Sequence, residues 1–258
     1  MSRHNPSLGL DLSDIRRRFF AAGELPAQSL RSEIAQSWRR CLSSGLNAES
    51  QPDWSACPLG ELSHARDQHL LLRQHARPEL EALHEQARST GCIVILTDPE
   101  GLILDAVGHT EFLDRAARVA LRPGVRWQEV STGTNAIGTA IHERRAIEVR
   151  GAEHYFDRHR ILSCAATPLL DPFGQLAGVL DLSGDARTHH LHALGLVQMA
   201  ARQIEHRAFA ERFPDDVVIR LHRDPALLGT PAEAILVFRD GRLHAANRQA
   251  QQAFGFEW

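Results

Sequence analysis

The sequence predicts an α+β fold in which an antiparallel sheet is flanked by helices. Two observations lead to this prediction: strand, turn, strand patterns occur at three places, and amphipathic helical patterns lie before and after them. The chain has 258 residues, of which 43% are hydrophobic and 24% charged. This is the ordinary balance of a folded chain with one or two domains.

The N-terminal part of the sequence predicts helices. Across residues 14–46, apolar side chains recur at helical spacing with breaks at Gly23 and Pro26, which predicts two amphipathic helices. The stretch 47–60 is rich in Ser, Pro, Asn and Gly and predicts an irregular connection. Helical spacing resumes over residues 62–89.

Short β-branched or apolar runs on either side of a turn containing Asp and Gly predict β-hairpins. The predicted strand pairs are 92–96 with 102–107, 163–170 with 176–182, and 235–238 with 242–246. Further elements are predicted between and after them, namely helices at 111–119, 135–143 and 247–254 and a strand at 146–150. A long helix is indicated by the apolar stripe Leu194, Val197, Ala201, Ile204 and Ala208.

Composition excludes several functions. The net charge is −3 without a basic patch, so neither direct DNA contact nor membrane binding is predicted. The sequence contains no lysine, which excludes a lysine Schiff base or a phosphate-loop lysine in this stretch. The cysteines lie far apart, and neither a signal peptide nor a membrane span is indicated. We therefore expect a cytoplasmic protein.

The segment S-T-G-T-N-A-I-G at 131–138 places small polar side chains just before a predicted helix. Two interpretations remain open. Thr132, Thr134 or Asn135 caps the helix, or these side chains line the mouth of a pocket for a small polar ligand together with Trp127. Neither a G-x-G-x-x-G nor a G-K-[ST] pattern is present, so nucleotide binding is not predicted.

Histidines and cysteines leave further alternatives. His154 and His159 indicate a metal site, a polar lid over the pocket, or simple packing, but their spacing does not stack two imidazoles on one helix face. A second histidine group lies at 189–192 and allows a metal site or a solvated cover of the following helix. Cys92 and Cys164 begin two predicted hairpins and are typical of buried core residues. No catalytic motif is present, so we do not expect an enzyme, and no metal or cofactor is predicted.

Taken together, several motifs resemble one known family. E-V-S-T-G-T-N-A-I-G-T-A-I at 129–141, R-G-A-E-H-Y-F at 150–156 and C-A-A-T-P-L-L-D-P-F-G-Q-L-A-G-V-L-D-L-S-G at 164–184 are similar to the GAF sensor domain of acetoin-catabolism-type regulators. These regulators are sigma-54-dependent transcriptional activators. The segments S-W-R-R-C-L at 37–42 and A-A-R-Q-I-E at 200–205 resemble further elements of the same family.

The resemblance implies a domain order and a function. An N-terminal helical region is expected at 1–72, a GAF sensor domain at 73–212, and a linker with an incomplete PAS domain at 213–258. The sensor would bind a small, uncharged, acetoin-like effector and control ATPase and DNA-binding domains that lie outside this sequence. The expected ligand-binding residues are Trp127, Thr134, Asn135, His154, Tyr155 and Cys164.

Two other functions remain open. A thiol enzyme such as a GAF-fold methionine sulfoxide reductase would need reactive cysteines in one pocket. A dimerisation module without a ligand would need only a packed core. The apolar stripe at 194–208 allows either packing within the domain or pairing with a second copy, so a homodimer or higher oligomer is expected. Because the residues after Pro225 are too few to bury a core, we expect the sequence to be part of a longer protein.

Overall fold

A five-stranded antiparallel sheet organises the chain. The computed structural model describes residues 11–25, 29–108, 119–188 and 191–255. The strand order is β2-β1-β5-β4-β3. The strands are β1 (Ile93–Thr97), β2 (Ile103–Gly108), β3 (Ile147–Arg150), β4 (Leu162–Leu170) and β5 (Leu176–Asp185).

The first two predicted hairpins are confirmed as β1–β2 and β4–β5, and the predicted strand at 146–150 is confirmed as β3. The central strand β5 pairs with β1 on one side and β4 on the other. In this register Asp181 lies opposite both Ile95 and Ala166, while Cys164 lies opposite Ser183. Cross-strand neighbours on one face lie close together, so this register groups polar side chains in the middle of the sheet.

Helices cover both faces of the sheet. They are α1 (Leu12–Ala22), α2 (Ser32–Ser43), α3 (Leu59–Gln68), α4 (Leu70–Gln86), α5 (Glu129–Thr132), α6 (Ala136–Glu143), α7 (Ala193–Arg212) and α8 (Arg248–Phe254). On the outer face, α4 and α7 pack against alternate strand residues. The buried residues that form this layer include Leu80, Leu83, Val94, Leu96, Leu180, Val197 and Ile204.

The inner face of the sheet carries the larger core. Helices α1, α2 and α6 meet there with the loops that contain Trp127 and Tyr155. Trp38 of α2 and Phe19 of α1 are almost fully buried in this core. The N-terminal helices therefore share a hydrophobic core with the sheet instead of standing apart from it.

The helical spacing over 62–89 corresponds to two helices, α3 and α4, and not to one continuous helix. The chain turns at His69, between α3 and α4, and α4 ends at Gln86 before a short 3-10 turn. Because the turn separates the two helices, Leu70 and Leu71 point to solvent while Leu80 and Leu83 are buried. The predicted helix at 111–119 lies almost entirely outside the described residues, as do Pro26, His189 and His190.

The third predicted hairpin belongs to a second sheet with the order β6-β7-β8. Its strands are β6 (Val217–Leu221), β7 (Ala234–Arg239) and β8 (Arg242–Ala246). Strand β6 was not predicted, because every one of its side chains is exposed and the run lacks alternating burial. Phe209 of α7 and Phe213, which directly follows this helix, form a hydrophobic cluster with Ile235, Val237 and Ala245 of this sheet.

In the part of the chain that the structure describes, no helix is both long enough and apolar enough to cross a lipid bilayer.

We predict that Gly133, in the connection between α5 and α6, does not tolerate a side chain. Its φ of 65° and ψ of −167° lie in a region that essentially only glycine adopts. A Cβ atom would stand 2.7 Å from the Cβ of Tyr155 and 2.9 Å from the ring of Phe156. Gly133→Ala should lower the free energy of unfolding by about 3 kcal/mol, measured by urea denaturation.

Gly195→Ala provides the matched control. Gly195 lies in α7, and an added Cβ would meet no atom within 4 Å. Its replacement should stabilise the protein by up to about 1 kcal/mol, because alanine is the better helix former. Equal urea midpoints for Gly133→Ala and the wild type would refute this account of the motif.

Candidate functional site

The inner face of the sheet contains a line of buried polar groups. His154 is fully buried, and its Nδ1 lies 3.1 Å from the carbonyl oxygen of Gly151. Its Nε2 lies 3.5 Å from Sγ of Cys164 on β4. Because a carbonyl only accepts, Nδ1 carries the proton, and Nε2 accepts from the Cys164 thiol.

Three aromatic side chains enclose His159. Its ring stacks on Trp127 at a centroid distance of 4.8 Å, and the Phe156 ring meets it edge-on at 6.0 Å. Nε1 of Trp54 donates to Nε2 of His159 over 3.2 Å. Burial lowers the pKa of His154 to about 4 and that of His159 to about 3. Both imidazoles are therefore neutral near pH 7, and this interior carries no positive charge from them.

Two atoms in this interior have unused hydrogen-bonding capacity. Nδ1 of His159 and Oδ1 of Asp181 are buried without a partner of hydrogen-bond geometry among the described residues. The other oxygen of Asp181, Oδ2, accepts from Oγ of Ser183 at 2.6 Å. Buried polar atoms are almost always paired, so an unpaired one requires an explanation such as a bound water or ligand.

The six predicted ligand-binding residues divide into two groups. Trp127, His154 and Cys164 lie together in the interior, where they join His159. The remaining three, Thr134, Asn135 and Tyr155, form structural contacts at the boundary with the N-terminal helices. Asp181 and Ser183 were missed by the sequence analysis, although both lie within the motif at 164–184.

The motif at 131–138 provides a helix cap. The side chain of Asn135 accepts from the backbone nitrogen of Gly138 at 2.8 Å, and its amide donates to the carbonyl of Gly133. Oγ1 of Thr134 lies 2.7 Å from Oγ of Ser37 on α2. The capping interpretation is therefore confirmed for Asn135, while Thr134 joins the domain to α2.

Glu129 is the centre of this junction. Its carboxylate accepts two hydrogen bonds from Arg40, at 2.7 and 2.9 Å, one from Ser37 at 2.6 Å and one from Thr139 at 2.8 Å. Burial raises the pKa of Glu129, but the bonds from Arg40, Ser37 and Thr139 more than offset it and hold the pKa below its ordinary value. The motifs at 37–42 and 129–141 thus form one network, although they are far apart in sequence.

Arg16 of α1 holds the segment that carries the two histidines. The guanidinium donates to the carbonyls of Ala152, His154 and Tyr155 and to the carboxylate of Asp157. On α2, Nε1 of Trp38 donates to the carbonyl of Glu153 at 2.7 Å. We call this set of contacts to residues 151–157 the Arg16 clamp. It fixes the backbone from which His154 reaches Cys164.

Two open grooves lie at the same boundary. One, of about 590 Å³, runs between α2 and α6 and is lined by Arg40, Glu129 and His142. The other, of about 660 Å³, is lined by Arg16, Phe20 and Tyr155. Neither groove is lined by His154, Cys164 or Asp181, so the buried polar groups are enclosed behind the boundary.

Within the described residues, no group of three His, Cys, Asp or Glu side chains is arranged to hold a metal ion. The ring centroids of His154 and His159 lie 6.2 Å apart, and the ring planes meet at 72°, as in an edge-to-face contact. Their nitrogen atoms instead face Gly151, Cys164 and Trp54.

Comparison with known proteins identifies the family: the chain belongs to the family described as MimR, N-terminal domain, which matches residues 9–206. This match extends from the N-terminal helices through most of α7, so it includes both sides of the network around Glu129.

Two curated relatives are transcriptional regulators. The chain is 33% identical over 195 residues to the acetoin dehydrogenase operon transcriptional activator AcoR of Bacillus subtilis, which covers 76% of this chain and 32% of the relative. It is 30% identical over 224 residues to the acetoin catabolism regulatory protein of Cupriavidus necator, with coverage of 84% and 34%. The chain thus spans about a third of the length of these relatives. The resemblance to acetoin-catabolism-type regulators is confirmed.

A solved structure shares the fold. In the crystal structure of the E. coli DhaR(N)–DhaL complex, the matching chain gives a TM-score of 0.68 at 19% identity. The match covers 88% of this chain and 78% of that one. At this identity the similarity supports the mixed α and β architecture and nothing finer.

We predict that Arg40→Ala loosens the junction between α2 and the sheet domain. It would leave the buried carboxylate of Glu129 without its cation and lower the free energy of unfolding by about 2 to 3 kcal/mol at pH 7. The pKa of Glu129 lies below 4.5 in the folded protein, so the ion pair stabilises above that pH and is lost as the pH falls. The deficit of the variant should therefore shrink in acid, as measured by urea denaturation between pH 3.5 and 7.

Arg77→Ala is the control for this variant. Its ion pair with Glu81 lies on the exposed surface of α4, and such pairs contribute little. A change of no more than about 0.5 kcal/mol is expected. If Arg40→Ala lowered the free energy of unfolding by no more than Arg77→Ala does, Glu129 would not be the centre of the junction.

Proposed function

We propose that this chain is the effector-sensing region of a sigma-54-dependent transcriptional activator. One observation carries the proposal: a fold shared with the family of transcriptional regulators encloses polar groups whose hydrogen-bonding capacity is not used. A small molecule that reached Oδ1 of Asp181 would supply the hydrogen-bond partner that this atom lacks among the described residues. The ATPase and DNA-binding parts of such an activator would lie outside this chain.

The proposed domain organisation follows the expected one. Residues 73–212 form a GAF-type sensor domain, residues 1–72 an N-terminal helical region, and residues 213–258 a linker with the beginning of a PAS domain. The five-stranded antiparallel sheet between helical layers supports the GAF assignment. The helical region shares the inner core of the sensor, and so the two would respond to an effector as one unit.

The effector is a small, uncharged and weakly polar metabolite. The neutral imidazoles and the apolar faces of Trp127 and Phe156 disfavour an ion in this interior, because a buried charge without a partner is costly. Acetoin occurs in the names of two relatives, and an acetoin-like hydroxyketone fits this chemistry. Trp127, His154 and Cys164 are the predicted residues we retain for direct contact with the effector.

The signal would leave through α7. This helix packs on the outer face of β4 and β5, behind Cys164 and Asp181, and continues to the second sheet. Glu205 of α7 binds Arg248 of α8 and accepts from the backbone nitrogen of Leu170 at the end of β4. An effector that favours one packing of β4 and β5 would thus also favour one position of α7.

Three further features complete the proposal. The protein works in the cytoplasm, as its relatives among transcription regulators suggest, and associates through homodimers or larger oligomers. This chain makes no direct contact with nucleic acid. We assign it no enzymatic activity, and a thiol reaction in particular is disfavoured, because burial raises the pKa of both Cys92 and Cys164, whereas catalytic cysteines need a stabilised thiolate.

We predict that uncharged oxygenated compounds raise the melting temperature of the chain. The panel is acetoin, butane-2,3-diol, acetone, propan-2-ol and glycerol, with acetate as the charged comparison. A compound present at ten times its Kd should raise the melting temperature by about 3 °C in differential scanning fluorimetry. Acetate should have no effect, because its charge would remain unpaired in the interior.

A comparison of Cys164→Val with Cys92→Val tests whether the compounds raise the melting temperature by binding at the inner face of the sheet. Both replace a buried thiol by an apolar group of similar size, but Cys164 lies on the inner face and Cys92 packs with the outer core. The shift should be reduced in Cys164→Val and preserved in Cys92→Val. No shift with any of the five neutral compounds would contradict the proposal and favour a protein as the input, since the solved relative DhaR(N) is in complex with DhaL.

A further inference from the structure

Asp181 is the one fully buried carboxylate in the middle of the described five-stranded sheet. It lies on the central strand β5, opposite Ile95 on β1 and Ala166 on β4. Strand residues alternate between faces, so Asp181 shares the inner face with Val179 and Ser183. A carboxylate at this position costs folding free energy, because the groups around it are mostly apolar.

The surroundings of Asp181 leave its charge uncompensated. Within the described ranges no arginine or histidine forms an ion pair with it, and its one hydrogen bond comes from Ser183. Burial raises the pKa of Asp181 to about 7, and the bond from Ser183 offsets only part of this effect. Near neutral pH a large share of the molecules thus carries a protonated carboxyl group, which can donate as well as accept.

Asp181 also continues the polar line that begins at Gly151. His154 accepts from the thiol of Cys164, and Cys164 interacts with Ser183, its cross-strand neighbour. Ser183 in turn donates to Oδ2 of Asp181 at 2.6 Å. Each member of this line has a partner on both sides except Asp181, whose Oδ1 has none in the described structure. The line ends at an atom that is free to bind something else.

We propose that Asp181 is the effector-recognition residue, whose carboxyl group, oriented by Ser183, hydrogen-bonds through Oδ1 to a carbonyl or hydroxyl oxygen of an uncharged ligand. This inference rests on the proposed effector-sensing function and specifies which chemical class of effector the site accepts. A carboxylic acid group donates to a ketone or alcohol oxygen and repels a carboxylate ligand once it ionises. Ketones, hydroxyketones and alcohols would therefore be accepted, and small organic acids rejected.

The experiment measures binding of acetoin, acetone and acetate to the full chain by isothermal titration calorimetry between pH 5.5 and 8.5. Asp181→Leu removes the hydrogen-bonding group but keeps the branching of the side chain, whereas Asp181→Asn keeps a neutral donor. We expect the wild type to bind acetoin less tightly as the pH rises past about 7. Asp181→Leu should bind at least about tenfold more weakly, the effect of one lost buried hydrogen bond. Asp181→Asn should bind without this pH dependence.

Asp185→Asn is the matched control. Asp185 ends the same strand, but its carboxylate pairs with the exposed Arg187. The same chemical change there should leave both the affinity and its pH profile as in the wild type.

A second measurement needs no ligand. Since the pKa of Asp181 is raised from 3.8 in the unfolded chain to about 7 in the folded one, its contribution to stability falls as the pH rises from about 4 to 7. His154 and His159 have lowered pKa values, and their contribution changes in the opposite direction. Both histidines titrate in the wild type and in Asp181→Asn, and burial raises the pKa of Cys92 and Cys164, so that both thiols stay protonated up to pH 7 in both proteins. The difference in unfolding free energy between Asp181→Asn and the wild type therefore reports on Asp181 alone. As the pH rises to 7, this difference should grow, with the variant the more stable of the two.

The possible results separate this inference from the proposed function. If no neutral probe binds the wild type, the effector-sensing function fails and this inference fails with it. If acetoin binds the wild type and Asp181→Leu equally well, the function stands and the role of Asp181 is refuted. Equal losses in the Leu and Asn variants would indicate a packing role and would also overturn the inference.

Discussion

The attachment of the N-terminal helices to the sheet domain depends on the hydrogen bonds that the Arg16 guanidinium donates. Its guanidinium is buried and satisfies three backbone carbonyls and one carboxylate of the segment 151–157, while Trp38 satisfies a fourth carbonyl. Without these donors the carbonyls of His154 and Tyr155 would be buried and unpaired, which is costly for each of them. Burial lowers the pKa of Arg16, yet arginine remains charged at any physiological pH. The clamp therefore provides a permanent charge where the loop needs donors.

From the clamp, a continuous set of contacts leads to the opposite side of the domain. The clamped segment positions His154 against Cys164, and the polar line continues through Ser183 to Asp181 on the central strand. The other face of β4 and β5 packs on α7, which extends to the second sheet. The clamped segment and α7 therefore lie on opposite faces of the sheet at β4 and β5. This arrangement explains why the motifs at 37–42, 129–141, 150–156 and 164–184 occur together, because each supplies one part of the same unit.

The local patterns of the sequence predicted much of the fold. The alternating apolar runs and the glycines at positive φ, such as Gly101 and Gly174, were sufficient to locate the hairpins β1–β2 and β4–β5. Strand β6 was not predicted. Its side chains are all exposed, so its sequence shows no alternation between buried apolar and exposed polar residues. In the candidate site, Trp127, His154 and Cys164 could be proposed from the sequence because they stand out as residue types. Asp181 and Glu129 did not, because their roles depend on partners that strand pairing and helix packing bring together from distant positions.

The central claim is that the N-terminal helices and the interior of the sheet form one cooperative unit through the Arg16 clamp. Amide hydrogen exchange, read by mass spectrometry on the wild type and on Arg16→Ala, tests it most directly. The account predicts faster exchange in the variant not only in α1 but also at 151–161 and in β4 around Cys164. If the acceleration were confined to α1, the helices would be an appendage and the proposed coupling would be wrong.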